Sequence, residues 1–208
     1  MCCRYYLERT DTSLLQYADA AAHSPLLDRF QRTLSKTLLS AGEVYPDSLV
    51  PVIATSKSGA QACFPMQWGF HMKNRPLLMN ARAETASEKP MFQEAWHAHR
   101  CVGPASWYYE WEHFLRPNGK KETGSRYLIQ PKDEQLTWLC GLYRMEEGLP
   151  RFVILTRAPS DSVSFLHDRM PLMLRKQDAF QWISPDTRPE EIAFRAVTDL
   201  HLEKEEGS

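Results

Sequence analysis

The sequence predicts a single α+β domain built mostly on antiparallel strands, and three observations support this. Strand-like segments at 2–8, 49–53, 62–70, 100–112, 126–130, 136–143 and 151–157 do not alternate with helices, so a parallel βαβ sheet is not expected. Helical spacing is confined to a few short stretches near the two ends and the middle. No repeat, low-complexity segment or linker divides the 208 residues, a length that suits one well-cored domain. The domain is expected to span 1–202, with 203–208 as a charged, frayed tail.

Residues 2–8 (Cys-Cys-Arg-Tyr-Tyr-Leu-Glu) form an aromatic-rich strand. Asp11-Thr12 offers an N-cap to a helix carrying Leu14, Leu15, Tyr17 and Ala18. Pro25 opens a second helix, to about residue 39, with Leu26, Leu27, Phe30, Leu34 and Leu38 at helical spacing. Val44-Tyr45-Pro46 turns into the strand at 49–53, and Ser56–Gly59 turns into the strand ending at Trp68-Gly69-Phe70. Lys73–Pro76 is a basic loop, and Ser87 is placed to cap a helix running to about His97. An aromatic run, Trp107-Tyr108-Tyr109-Glu110-Trp111, closes the strand at 100–112, and Pro117–Ser125 is the best loop. Strands at 126–130, 136–143 and 151–157 precede an irregular turn to His167–Pro171 and two short helices, about 176–183 and 188–195.

Hydrophobic residues at 43% and charged residues at 25% are ordinary for a soluble globular protein. No apolar run reaches the ~18–20 residues that span a bilayer, and no basic-then-apolar leader opens the chain. The five cysteines, Cys2, Cys3, Cys63, Cys101 and Cys140, are odd in number and contain no CxxC pair. That argues against a disulfide framework and a structural zinc site, and for a reduced, cytoplasmic setting. A net charge of −1 gives no global sign of nucleic-acid binding, so any such binding must come from a local cluster of arginines.

Cys2 would become the N-terminal residue once Met1 is removed. It would then carry an α-amine of pKa ~7.7–8 beside a thiol of pKa ~8.5, both usable nucleophiles near neutral pH. Such a pair converts an aldehyde to an imine and then to a five-membered thiazolidine, a closure favoured by its high effective molarity. The plainer alternative is an ordinary strand start, and residues 1–4 alone favour it.

Other candidates carry two meanings each. Glu110 lies among aromatics, either on the solvent face of an alternating strand or buried and suited to proton transfer. His167-Asp168-Arg169-Met170-Pro171 sets an imidazole beside an acid and a base, as a proton shuttle or a surface turn. Asn80 is a fixed hydrogen-bond partner or a turn residue; Arg82 grips a phosphate or pairs with Glu84. Trp68 and Trp111 either stack on bases or belong to the core, the commoner place for a strand tryptophan. Cys63, Cys101 and Cys140 lie in apolar strands and read as inert core residues.

Taken in order, Met1-Cys2 with Arg4, Trp68-Gly69, Asn80-Ala81-Arg82-Ala83-Glu84-Thr85, Arg100-Cys101 with Pro104-Ala105, Tyr109-Glu110-Trp111, Ile154-Leu155-Thr156 and His167-Asp168-Arg169-Met170-Pro171 resemble the signature of the SOS response-associated peptidase (SRAP) family. Each string is short, but their ordered co-occurrence from residue 2 to about 175 is specific. Cys3 and Trp107 depart from the resemblance, each standing where a glycine is usual, as do Ser106 for Asp and Glu43 for Asn.

The resemblance implies a barrel-like, mostly antiparallel sheet with flanking helices, and a sensor of abasic sites in single-stranded DNA. Such a protein removes its own initiator Met and traps the ring-opened sugar as a thiazolidine crosslink. Carried onto this chain, Cys2 is the nucleophile, Asn80 positions it, and Glu110 and His167 move the protons. Arg4, Arg82 and Arg169 fall on the DNA backbone, with Trp68 and Trp111 near the bases. Neither a metal nor an organic cofactor is implied, and a monomer without membrane attachment is expected. Two rivals stay open: a cysteine hydrolase acting in trans through Cys2, His167 and Asn80, and a non-catalytic single-stranded DNA-binding module.

Overall fold

The structure, a computed structural model, describes residues 3–116 and 118–205. In chain order the elements begin with β1 (Tyr5–Leu7), α1 (Thr12–Ala22), α2 (Pro25–Leu34), β2 (Gly42–Val44), β3 (Leu49–Thr55) and β4 (Gln61–Trp68). Next come β5 (Asn80–Arg82), α3 (Ala83–Ala86), α4 (Pro90–Ala98), β6 (Arg100–Ala105), β7 (Trp107–Leu115) and β8 (Lys121–Pro131). The last are β9 (Thr137–Glu146), β10 (Leu149–Arg157), β11 (Met170–Pro171), β12 (Met173–Leu174), α5 (Lys176–Trp182), α6 (Pro189–Ala193) and β13 (Leu200–Lys204).

Local chemistry sets the helix ends. Asp11 caps α1 by accepting from the backbone N–H of Ser13 and Leu14 at 2.8 and 3.1 Å. Ser24 caps α2, Pro25 occupies its first turn, and Ser35 ends it in the left-handed region at φ 52°. The helix expected to run to about residue 39 therefore stops at Leu34. Ser87 does not cap the next long helix. It closes the four-residue α3, and α4 starts three residues later at Pro90.

Five strands, β4, β3, β6, β9 and β10, close on themselves as a mixed barrel. Four of the contacts are antiparallel, and β10 completes the ring by pairing parallel to β4. From Leu149 to Thr156, β10 is buried on both faces, which explains its nearly unbroken apolar sequence. Helices α4 and α5 cover one side of the barrel, where Trp96 and Trp182 meet edge to face at 5.3 Å. The buried Arg100 ties them together by donating to the carbonyls of Trp96, His97 and Ser184 at 2.9, 2.6 and 2.6 Å. The fold is thus a single α+β domain with a closed barrel and flanking helices.

A second, five-stranded antiparallel sheet, β13-β8-β7-β1-β2, stands beside the barrel. The stretch expected as one strand, 100–112, is two strands in different sheets. The break falls at Ser106, whose N–H donates to Tyr6 O at 2.8 Å and whose Oγ accepts from Glu8 N at 2.9 Å. The expected tail from 203 is corrected as well. Strand β13 runs to Lys204 along β8, and Glu205 pairs with Arg126; residues 206–208 lie outside the described residues. No helix among the described residues is long and apolar enough to cross a membrane.

Candidate functional site

The N-terminal strand lies beside β7, the strand that carries Glu110. Register pairs Tyr5 with Tyr108 and Tyr6 with Trp107, and Tyr109 N donates to Arg4 O at 3.0 Å. Continued one residue further, the same register puts Cys3 across from Glu110. Cys3 is half-buried, and its thiol pKa is raised first by burial and then by the Glu110 carboxylate. Cys2, the expected nucleophile, lies outside the described residues.

Glu110 sits within β7, flanked by β1 and β8 and paired in register with Tyr127. It is only 4% exposed, so the solvent-face reading is overturned. One carboxylate oxygen accepts from the Trp111 N–H at 3.3 Å.

Asn80 begins the short β5, which pairs parallel to β10 with Asn80 opposite Ile154. It is buried, and the residue before it is anchored: Met79 O accepts from Trp68 Nε1 at 2.9 Å and from Ile154 N at 3.1 Å. Trp68 itself is fully buried, with ring centroids 5.4 Å from Tyr5 and 6.4 Å from Phe152. It offers no face to a base, so its expected stacking role is corrected to a core residue that holds the backbone at Met79.

His167 lies in the turn before β11, with its Nδ1 2.6 Å from Asp168 Oδ1. The same nitrogen faces the Arg169 N–H at 3.1 Å. A neutral ring accepts there from Arg169, and a protonated ring donates to Asp168. Burial lowers the imidazole pKa, against the opposing pull of the Glu110 and Asp168 carboxylates. The His113 ring stands edge-on to it at 6.3 Å. His113 is a neighbour that sequence reasoning missed, and the only signal for it was its place three residues beyond Glu110.

The arginines divide by partner. Arg169 is held by Glu84 at 2.8 and 2.7 Å and by the Thr156 carbonyl at 2.7 Å. The expected alternative of an Arg82–Glu84 pair is therefore not formed, and Arg82 is exposed. Arg4 lies 3.5 Å from Glu43 and over the rings of Tyr45 and Trp111, at 4.5 and 5.3 Å. Glu43 also binds Arg126 at 2.6 Å. Trp111 is partly exposed and carries Arg4 on its face.

Asn80, Arg82, His167 and Arg169 line a groove of about 740 Å³, while Arg4, Glu110 and Trp111 are outside its lining. Glu110 connects to it through its field at His167. The remaining thiols behave as core: burial raises Cys101 and Cys140, and pushes Cys63 up to about 12. Among the described residues no group of three or more His, Cys, Asp or Glu is arranged to hold a metal ion.

The class that fold and site define is a single α+β domain with a closed barrel, a second sheet that carries the buried Glu110, and a groove lined by Asn80, Arg82, His167 and Arg169. Residues 1–205 match the family described as SOS response associated peptidase (SRAP), and the chain belongs to that family. It is 36% identical over 113 residues to the abasic site processing protein YoqW of Bacillus subtilis, covering 52% of this chain and 48% of that protein. It is 27% identical over 140 residues to the abasic site processing protein YedK of Escherichia coli, covering 64% and 60%. The chain thus spans about half the length of the Bacillus relative. Solved structures from Bacteroides thetaiotaomicron (TM-score 0.68, 22% identity, 96% and 91% covered) and a phage-related protein of Bordetella bronchiseptica (0.69, 20%, 99% and 95%) share the fold.

Proposed function

We propose that this chain processes abasic sites in single-stranded DNA by crosslinking itself to them through Cys2. The observation that carries the reading is the burial of Glu110, whose carboxylate acts electrostatically on both the Cys3 thiol and the His167 ring. The family membership and the relatives named as abasic site processing proteins support it. Hydrolysis of the Met1–Cys2 peptide bond frees the Cys2 amine, with the chain acting as its own peptidase. The abasic sugar rests mainly as a closed hemiacetal and must open to its aldehyde. The amine adds to that aldehyde and water leaves, giving an imine. The Cys2 thiol then adds across the imine carbon, its proton ends on nitrogen, and a thiazolidine closes.

In this reading Asn80 positions the N-terminal residue, while Glu110 and His167 supply and remove the protons. Burial keeps His167 neutral near pH 7, the form that accepts a proton. Arg82 meets the strand's phosphates, and Trp111 lies near the bases.

The test is intact mass before and after incubation with an abasic single-stranded oligonucleotide. Wild type is expected to lack Met1 and to gain one oligonucleotide. Cys2→Ala is expected to stay folded and gain nothing, and Cys2→Ser to form no stable adduct. Loss of Met without gain of DNA, together with turnover of peptides, would establish the hydrolase instead. Retention of Met with reversible binding only would establish a binding module.

A further inference from the structure

Cys3, Cys63, Cys101 and Cys140 are all free thiols, but they are not equivalent. Cys63, Cys101 and Cys140 lie in the barrel strands β4, β6 and β9, where burial raises each thiol pKa and suppresses the reactive thiolate. Cys3 lies outside the barrel, half-buried, just ahead of β1. Its neighbour in the sequence is Cys2, so two thiols stand on consecutive residues.

Consecutive Cα atoms are about 3.8 Å apart across a trans peptide, wherever the rest of the chain places them. A disulfide normally spans roughly 4.4–6.8 Å between Cα atoms, so one closed between neighbours is strained. Strained disulfides are the readily reduced, regulatory ones. The register of β1 with β2 and β7 starts at Tyr5, two residues later, so ring closure at Cys3 breaks no strand pair. The two thiols also differ in reactivity. Burial, and then the Glu110 carboxylate, raise the Cys3 thiol and keep it protonated. The Cys2 thiol, once its α-amine is freed, stands beside its own ammonium, which favours the thiolate. A hydroperoxide therefore attacks Cys2 first, with Cys3 waiting beside it.

We infer that Cys3 is the resolving thiol of Cys2, and that a hydroperoxide joins the two as a reversible disulfide. This rests on the function proposed above and adds a control to it. The Cys2 thiolate breaks the O–O bond of hydrogen peroxide, takes one oxygen as a sulfenic acid and releases hydroxide, which is protonated to water. The Cys3 sulfur then displaces that oxygen, which leaves as water with the Cys3 proton, and the S–S bond forms. Two thiols and one peroxide thus give one disulfide and two waters. The oxidised chain keeps the Cys2 amine and still forms a hydrolysable imine, but it has no thiol to close the thiazolidine. Stable crosslinking stops until a dithiol reduces the pair. Without Cys3 the sulfenic acid advances to a sulfinic acid, which a dithiol does not reverse.

The experiment treats wild type, Cys3→Ala and Cys3→Ser with hydrogen peroxide and reads the mass of the N-terminal peptide and the yield of adduct with an abasic single-stranded oligonucleotide. Reduced, all three are expected to crosslink to the same extent. After peroxide, wild type is expected to lose two hydrogens within that peptide, to form no stable adduct, and to recover its full yield with dithiothreitol. Both variants are expected to gain the two oxygens of a sulfinic acid and to recover nothing. Oxygen gained by the wild-type peptide overturns the pair, as does a dithiothreitol-sensitive dimer of the chain. Recovery of the variants to the wild-type yield also overturns it. Wild type that shows the two-hydrogen loss but never crosslinks when reduced leaves the disulfide standing and overturns the function it would control.

Discussion

Glu84 accepts both terminal nitrogens of Arg169 across 85 residues of sequence, and this pair fastens the His167 turn to the segment that follows Asn80. The same guanidinium donates to Thr156 O on the barrel strand β10. Three separate parts of the chain therefore meet at one arginine, which makes it a scaffold for the site. Glu84 is 46% exposed, so solvent screening holds the ion pair to ~1 kcal/mol or less. Loss of the bond to Thr156 O adds ~1 kcal/mol. Arg169→Ala is thus expected to cost about 1–2 kcal/mol, or roughly 2–8 °C in Tm for a chain of this size.

The pH dependence of that cost has a definite sign. The Arg169 hydrogen bonds hold the Glu84 carboxyl below its usual pKa. Its contribution is therefore complete above the ordinary carboxylate value of about 4.3 and is lost as pH falls through the lower folded value. Thermal melts of wild type and Arg169→Ala should differ most near neutrality and converge toward acid. Equal melting temperatures at pH 7 would show that the pair contributes nothing.

Gly69 is the second structural hinge of the groove. Its φ is +110°, and a Cβ there would meet Leu77 Cγ and Cδ2 at 2.5 Å. The backbone cannot drift away, because Gly69 N donates to Phe152 O at 2.7 Å and Gly69 O accepts from Arg151 at 3.2 Å. Leu77 must move instead, and Leu77 lines the groove. Gly69→Ala is expected to destabilise by more than ~1 kcal/mol and to weaken single-strand binding together with it. Adding Leu77→Ala should recover part of the stability by removing the clash, while the cost of the positive φ remains. A double variant no more stable than the single one would place the whole effect in the backbone.

Local signals were readable in the sequence where they act locally. Asp11 and Pro25 mark helix starts because a cap or a proline works within one turn. The apolar run at 151–157 announced a strand, which the structure places as β10. Barrel closure has no such mark, since the parallel β10–β4 contact joins residues more than eighty positions apart. Strand β13 was missed because Leu200–Lys204 is mostly polar and exposed, and only pairing with β8 makes it a strand. In the site, Asn80, Arg82, His167 and Arg169 do line one groove. What the sequence could not separate was the exposed Arg82 from Arg169, which Glu84 locks, or the partly exposed Trp111 from the buried Trp68. Those distinctions are set by tertiary neighbours alone.

The sharpest test of mechanism concerns Glu110 and His167. Sugar opening needs a proton at the ring oxygen and the loss of another from the anomeric hydroxyl, and each later step needs the Cys2 groups deprotonated in turn. Glu110→Gln and His167→Ala are each expected to slow crosslinking by ~10²-fold or more, the usual scale for losing one acid–base group. Affinity for undamaged single strands should be unchanged, since neither side chain is assigned a phosphate or a base. Burial lowers the His167 pKa, so the neutral base persists to pH values below the ordinary histidine range. The wild-type rate should therefore rise with pH through a limb below about 6.5, and His167→Ala should lose that limb. His113, edge-on at 6.3 Å, also pushes the pKa down when protonated, so His113→Phe should move the limb to higher pH while keeping a ring in place. Wild-type rates in both the Glu110 and His167 variants would mean that the sugar opens unaided, leaving Cys2 as the only reacting group in the site.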